Sequence, residues 1–158
     1  MQRRAIPEMN DLPWVPQSLK DVLTDFIATF VSVTDLYASL VPKLRMAMDT
    51  TGTRDIVDLC SGNGGSLLSL VKHLGPGANG MVSVTLTDKY PNLAAFRSAQ
   101  ARFPNHVHFV ETPVDARSVP PTLRGFRTLL ASFHHFDPPE ARRILQDAFD
   151  AGQWICIV

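Results

Sequence analysis

A glycine-rich turn between an apolar run and a helical pattern is the feature that most constrains the fold of this chain. The run Ile56–Leu59 is typical of a buried strand, and Ser66–Leu74 has helical spacing. The turn between them, Ser61–Gly65, reads SGNGG. Glycines at such a junction let the backbone turn sharply and let a ligand press against the main chain, toward which the helix directs its N-terminal amides. The segment therefore predicts a ligand-binding strand–turn–helix unit.

The rest of the chain from Arg54 onward repeats this alternation of strands and helices. The predicted strands are Ile56–Leu59, Met81–Thr87, Val107–Val110, Arg127–Phe133 and Trp154–Val158. The predicted helices are Ser66–Leu74, Leu93–Phe103 and a third that Asp137 caps, with Pro138 first, Glu140 completing a capping box, and an end near Phe149. Such alternation implies parallel strands joined by right-handed crossovers, so we expect an α/β fold: a Rossmann-like, mostly parallel sheet with flanking helices.

Residues 1–53 differ from this pattern and predict a helical preface to the sheet. One helix is expected after a cap at Ser18, and a second from near Asp35, with Pro42 kinking it. We expect residues 1–53 to act as a lid, residues 54–158 to form the ligand-binding domain, and the two to make one compact unit. A chain of 158 residues suits one domain.

Composition excludes several classes of partner. Lys+Arg and Asp+Glu both total 15, so no basic excess points to nucleic acid or an anionic membrane. No apolar stretch is long enough to span a bilayer and no leader is evident, so a cytoplasmic location is the default expectation. Cys60 and Cys156 lie in strand-like apolar runs without metal-ligand spacing, which predicts buried free thiols and no metal site.

An acidic residue after the second predicted strand narrows the range of ligands that the turn could bind. Asp88 follows Val84–Thr87, where a carboxylate can accept both hydroxyl protons of a ribose. A nicotinamide-binding oxidoreductase is one alternative, but its fingerprint needs a third glycine where this chain has Leu67. A non-catalytic binding or interaction module is a second alternative. A retained acceptor pocket would distinguish an enzyme from that module.

The segment Asp58–Gly65 resembles motif I of the class I S-adenosylmethionine (SAM)-dependent methyltransferases. That family has an acid at the end of the first strand and small residues at alternate positions, here Cys60, Gly62 and Gly64, with Cys60 a small-for-small exchange for the usual first glycine. The resemblance implies a SAM site made by Asp58, Cys60, Ser61, Gly62, Asn63, Gly64, Asp88 with its neighbour Lys89, Asp115 with Ala116 at the adenine, and Ser132. A valine at Gly64 is expected to block the approach of the cofactor.

Two adjacent histidines follow the fourth predicted strand, on the side that faces the methyl group in the family. Neighbouring loop residues are expected to point in different directions, so His134, nearer the strand, is the candidate catalytic residue. It can act as a base or simply line the pocket. Tyr37, in the preface, is expected to be a core residue, with covering the cofactor as the other interpretation.

The resemblance also sets expectations for the acceptor and for the end of the chain. An Asn/Asp-Pro-Pro-aromatic motif is absent after the fourth strand, which disfavours the branch that methylates nucleic acids and protein amides and favours a small-molecule acceptor. The family's sheet has seven strands in the order 3-2-1-4-5-7-6, whereas five are predicted here. We therefore expect the C-terminal hairpin to be missing, the chain to be a fragment or to form a homodimer through the exposed fifth strand, and the isolated chain to be a doubtful catalyst.

Overall fold

The computed structural model describes residues 37–74 and 82–158, together with residues 12, 14–16, 19, 22 and 26. The predicted cap at Ser18 and the predicted helix start near Asp35 lie outside the described residues. Leu19, Val22 and Phe26 are themselves helical. The statements below concern the described residues.

A five-stranded parallel sheet forms the centre of the fold. Its strands are β1 (Asp55–Asp58), β2 (Ser83–Leu86), β3 (Val107–Phe109), β4 (Phe126–Leu129) and β5 (Ile155–Ile157), in the order β3-β2-β1-β4-β5. Successive strands run outward from β1 on one side, and β4 and β5 lie on the other. The direction of winding changes between β1 and β4, and in open α/β sheets ligands bind at the carboxyl edge beside such a point. The predicted Rossmann-like sheet is confirmed.

Four helices flank the sheet. They are α1 (Val41–Thr51), α2 (Gly65–Leu74), α3 (Leu93–Arg102) and α4 (Pro138–Asp150), with 3-10 turns at Ala38–Leu40 and Phe133–His135. The predicted capping box of α4 is present, because the Asp137 carboxylate accepts the Glu140 amide at 2.8 Å and the Glu140 carboxylate accepts the Asp137 amide at 3.2 Å. Within the described ranges no helix has both the length and the apolar character to cross a bilayer.

The fourth strand and the second helix of the preface differ most from their predicted bounds. The fourth strand ends at Leu129 rather than Phe133, because the chain turns at Ala131, whose φ is 54°, and then enters a 3-10 turn. The α-helix that contains Pro42 begins at Val41, so this proline lies in its first turn. A proline there lacks only an amide that has no partner within the helix, and the predicted kink is therefore wrong.

The core lies on both faces of the sheet because strand side chains alternate. Ile56 faces a cluster that contains α2 and α3, whereas Val57 and Leu59 face a second cluster under α4. The apolar stripe of α1 joins the first cluster through Val41, Leu44 and Met48. The Arg45 guanidinium of α1 also donates to the carbonyl oxygens of His73 and Leu74 at the end of α2, at 2.7 and 2.8 Å. These contacts hold α1 against α2, beside the sheet.

Candidate functional site

The turn after β1 has a left-handed backbone at three alternate residues. The φ angles are 57° at Cys60, 53° at Gly62 and 73° at Gly64. These are the three positions at which methyltransferase motif I has small residues. Glycine adopts this conformation without a penalty, whereas an L side chain costs about 1–2 kcal/mol. The exchange at Cys60 is therefore more than a change of size: it places a strained residue at the edge of the site.

The two glycines of the turn face different surroundings. A Cβ atom at Gly64 would lie 3.3 Å from Cδ1 of Leu86 and 3.9 Å from Cδ1 of Leu68, inside the packing between α2 and β2. A Cβ atom at Gly62 would meet nothing within 4 Å. The expectation that a valine at Gly64 blocks the ligand's approach is wrong, because that side chain would press into the core. Gly62 is the glycine with open space.

Asp58 lies beneath the turn rather than on its open side. Its side chain is 3% exposed and accepts hydrogen bonds from the hydroxyl groups of Thr128 at 2.6 Å and Ser61 at 2.7 Å. Burial raises the pKa of Asp58 from 3.8 to about 6, against the effect of the two hydroxyl donors and with a smaller contribution from the charge of Asp88. The arrangement makes Asp58 a residue that holds the turn.

Thr87 joins the ends of β1 and β2. Its hydroxyl donates to the carbonyl oxygen of Asp58 at 2.7 Å, and its amide lies 3.1 Å from Oγ of Ser61 and 2.9 Å from that carbonyl. The Ser61 amide donates in return to the carbonyl oxygen of Thr87 at 3.0 Å. The sequence analysis missed Thr87 and Thr128. Their only signal is that each is a hydroxyl residue near the carboxyl end of an apolar strand.

Asp88 holds its carboxylate against the turn. Oδ2 accepts the Gly62 amide at 2.8 Å and Oδ1 accepts the Tyr90 amide at 2.8 Å. A carboxylate has about four acceptor positions, so these two bonds orient the group and leave acceptors for a ligand. A side-chain hydrogen bond of 2.9 Å between Asn63 and Asn92, the N-cap of α3, holds the turn from the other side.

Asp115 reaches the same edge, but its carboxylate is engaged by Arg117. The Arg117 amide and Nε lie 3.0 and 2.8 Å from Oδ1, and Nη2 lies 2.5 Å from Oδ2. Nζ of Lys89 is 3.6 Å from Oδ2, and Arg117 also pairs with Glu140 of α4. The hydrogen bonds from Arg117 hold the pKa of Asp115 well below its usual range. Arg117 therefore occupies the acceptors expected for adenine, and it was missed by sequence reasoning.

Ala116 and Ser132 do not present their side chains as expected. The Ala116 methyl group is 3% exposed and belongs to the core under α4. The Ser132 hydroxyl donates to the carbonyl oxygen of Leu130 at 3.1 Å. Only backbone groups of Ala116 remain available to a ligand, and Ser132 is directed toward its own chain.

The rings of the two histidines lie against each other in the 3-10 turn after β4. Their ring centroids are 4.2 Å apart, with 39° between the planes, so the expectation that they point in different directions is wrong. His134 lines a cavity of about 600 Å³ together with Tyr37, Ser39, Leu40, Lys43, Ala131 and Val158. Tyr37 is a core residue, as expected, and also contributes to this cavity. The cavity lies between the start of α1 and the ends of β4 and β5.

Cys60 lies at the centre of the acidic side chains. It follows β1 instead of lying within it, and both it and Cys156 of β5 are half-buried free thiols, so the prediction of two buried strand residues is wrong in part. Burial raises the pKa of Cys60 to about 12, and the charges of Asp88, Asp58 and Asp115 add to this effect. Three of the predicted site carboxylates thus lie near enough to act on one thiol.

Comparison with solved structures identifies the fold. Superposition on an O-methyltransferase from neocarzinostatin biosynthesis, crystallised with S-adenosylhomocysteine and 1,4-dihydroxy-2-naphthoic acid, gives a TM-score of 0.61 at 22% identity over 86% of this chain. An O-methyltransferase family protein from Burkholderia thailandensis gives 0.55 at 20% identity over 84%. The glycopeptide N-methyltransferase MtfA gives 0.51 at 18% over 69%. The fold is that of the class I SAM-dependent methyltransferases.

The chain covers only part of these methyltransferases. It spans 40% of the length of the first two and 50% of the third. No family model and no curated protein sequence matches the chain.

Within a methyltransferase fold, the predicted site residues fit a nucleoside cofactor unequally. Gly62 offers open space, and Asp88 beside it offers oriented acceptors. Asp58 supports the turn from below, and Asp115 is held by Arg117. The described residues thus leave open space and free carboxylate acceptors beside Asp88, whereas Arg117 holds the carboxylate of Asp115.

Proposed function

We propose that this chain binds SAM at the carboxyl edge of β1 and β2 and serves methyl transfer to a small-molecule acceptor. The observation that carries the proposal is the Asp88 carboxylate, which the Gly62 and Tyr90 amides orient beside the open turn. Two vicinal hydroxyl groups of a ribose match the acceptors that remain. The solved structures with the same fold include complexes with SAM and S-adenosylhomocysteine, which supports the choice of cofactor.

The packing of α2 supports SAM over a nicotinamide cofactor. Leu67 is fully buried in the core between α2 and the sheet. The nicotinamide fingerprint has a glycine at this position, so that the helix can approach the strand closely. Here a leucine side chain fills that space.

The cofactor would supply an electrophilic methyl group, whose transfer leaves the bonding electron pair on the sulfonium sulfur. The chain has to orient the acceptor and exclude water. We place the acceptor in the cavity beside His134, which lies after β4 at the same edge of the sheet as Asp88. His134 would accept the proton that a hydroxyl acceptor loses as its oxygen bonds to the methyl carbon, and would pass that proton to solvent.

The size of the cavity and one neighbour support a small molecule as acceptor. Sites for small ligands have volumes of about 300–1,000 Å³, and this open cavity has a volume of about 600 Å³. The O-methyltransferase from neocarzinostatin biosynthesis was crystallised with hydroxynaphthoic acids.

Calorimetric titration of the chain with S-adenosylhomocysteine and with NAD tests the cofactor. We expect the first to bind and the second not to bind. Binding of NAD without binding of S-adenosylhomocysteine would overturn the proposal. A methyl-transfer assay with His134→Ala then separates an enzyme from a binding module, since only an enzyme has turnover to lose.

A further inference from the structure

The outer edge of β5 pairs with no strand among the described residues, because β5 is the last strand of the sheet. The carbonyl oxygens of Trp154 and Val158 accept amides of β4 and of the turn after it, at 2.8 Å each. Successive residues direct their backbone groups to opposite sides of a strand, so those of Ile155 and Ile157 face away from β4. Such a row of backbone groups pairs readily with another strand.

Large apolar side chains are exposed on both faces beside this edge. Trp154 is 62% exposed and Val158 is 49% exposed, and both lie on the sheet face of Cys156, because side chains alternate along a strand. On the other face, α4 leaves Leu145 45% exposed and Phe149 80% exposed. Exposed apolar side chains that are grouped in this way mark an interaction surface.

Hydrogen bonds determine which flank of α4 faces the edge. Glu140 pairs with Arg117, and Asp147 accepts the Val119 amide at 3.2 Å. Arg117 and Val119 belong to the segment between β3 and β4, which packs with β1 and so lies on the side of α4 away from β5. At about 3.6 residues per turn, the two exposed apolar residues of α4 lie half a turn away from Glu140 and Asp147. They therefore face the β5 side.

A second copy of β5 fits this edge when it runs antiparallel, with a two-fold axis at Cys156. Ile155 of one copy then lies opposite Ile157 of the other, and their outward backbone groups exchange hydrogen bonds. Trp154 lies opposite Val158 of the other copy on one face, so the two exposed side chains cover each other. A shift by one residue would pair the backbone groups of Cys156, which already face β4.

The charges of α4 also match those of an antiparallel copy. Arg142 and Arg143 are exposed in the first half of the helix and pair with no described carboxylate, whereas Asp150 is exposed at its end. In the paired arrangement, the first half of one helix comes to the level of the end of the other. The two arginines then lie toward Asp150 and the carbonyl end of the other helix, where cations are favourable.

We propose that β5 and the Leu145–Phe149 flank of α4 bind a second copy of this chain in a closed two-fold dimer with one continuous sheet. Both copies use the same surface, so the contact occupies both edges and stops at two copies. The inference does not depend on what the turn after β1 binds.

Sedimentation velocity of the 158-residue chain tests the dimer. We expect a dimer whose fraction rises with concentration. Trp154→Lys should weaken it at least about tenfold, because a charge replaces an apolar side chain at the edge. Tyr90→Lys is the matched control, since Tyr90 is a 79% exposed aromatic residue beyond β2, away from this edge. It should dimerise like the parent chain, and circular dichroism checks that both variants fold.

Cross-linking of Cys156 tests the register. Opposite residues in a pair without hydrogen bonds have Cα atoms about 4.5 Å apart, so dibromobimane should join the two Cys156 thiols. Cys60→Ser should then give a covalent dimer on a denaturing gel, whereas Cys156→Ser should give none, because the chain has two cysteines. The reaction needs a mildly alkaline buffer, since burial raises the pKa of the Cys156 thiol.

The outcomes that contradict the inference are distinct. A chain that stays monomeric at high concentration, a dimer that Trp154→Lys leaves unchanged, or a dimer that does not cross-link through Cys156 would overturn it. Particles that keep growing beyond two copies would also overturn it, since a two-fold contact closes on itself.

Discussion

The backbone adopts the same left-handed conformation after β1 and after β4, but different contacts hold the two turns. Each strand is followed by a non-glycine residue in the left-handed region, Cys60 at φ 57° and Ala131 at φ 54°. After β1, hydrogen bonds from Ser61 and Thr87 join the turn to the neighbouring strand, and a buried carboxylate lies below it. After β4, an exposed 3-10 turn that holds the two histidines faces a cavity that α1 completes.

The comparison separates the geometry that the sheet determines from the geometry that residues 37–43 help to determine. The turn after β1 is held by the strands themselves, so its geometry should persist whatever ligand is used. The cavity after β4 is lined in part by Tyr37, Ser39, Leu40 and Lys43, which precede the sheet in the chain. In the proposed function, the sheet would thus set the cofactor side, and residues 37–43 would help to set the acceptor side.

The largest effect is expected from Gly64→Val. A β-branched residue in the left-handed region costs about 1–2 kcal/mol, and pressing its side chain against Leu86 costs about 1–3 kcal/mol more. Thermal denaturation should show loss of stability with or without ligand.

Gly62→Ala is the matched control for that substitution. It has the same backbone strain but open space around the new Cβ atom, so it should cost only the strain of about 1–2 kcal/mol. Equal destabilisation by the two variants would show that packing under the turn does not matter.

Next in size is the effect of Asp88→Ala on S-adenosylhomocysteine binding. Hydrogen bonds to a carboxylate contribute about 1.5–3 kcal/mol each, so affinity should fall at least about tenfold. Asp115→Ala should weaken binding less than about threefold, because Arg117 already occupies that carboxylate. Titration calorimetry of the two variants checks this, with Glu111→Ala as an exposed control. If Asp115→Ala lowers the affinity for S-adenosylhomocysteine as much as Asp88→Ala does, Arg117 must release Asp115 when the ligand binds.

Asp58 should make the stability of the turn depend on pH. Its pKa is about 6 in the folded chain against an ordinary 3.8, so between these values the folded state binds more protons than the unfolded state. Stability relative to Asp58→Asn should therefore fall as pH rises through this window and level off above it. Melting temperatures of both chains from pH 4.5 to 7.5 measure the difference. A difference that is constant or that rises with pH would contradict the burial effect.

The sequence predicted the sheet because local patterns decide it, and it predicted contacts at the site less well. Strand–helix alternation around Gly62 and Gly64 predicted the parallel strands, and the resemblance to the methyltransferase family supplied their order. The pairing of Asp115 with Arg117 depends on side-chain rotamers, and the hydroxyl groups of Thr87 and Thr128 become partners of Asp58 only when three strand ends meet. Lys43 lines one cavity with His134 and Val158, which are distant in the chain, and no spacing in the sequence reveals this.

The smallest effects are expected from substitutions at the two non-glycine residues with a left-handed backbone, Cys60 and Ala131. Ala131→Gly relieves about 1–2 kcal/mol of backbone strain and adds about 0.5–1 kcal/mol of chain entropy to the unfolded state, which leaves a gain of about 0.5 kcal/mol. Cys60→Gly gains less, because the half-buried thiol packs against the core cluster that contains Val57 and Leu59. A chain of this size should melt about 1–2 °C higher with Ala131→Gly.

Ala47→Gly, inside α1, is the opposite control and should lower stability by about 1 kcal/mol. If Cys60→Gly stabilises more than Ala131→Gly, the turn after β1 is the more strained of the two, in spite of its hydrogen bonds.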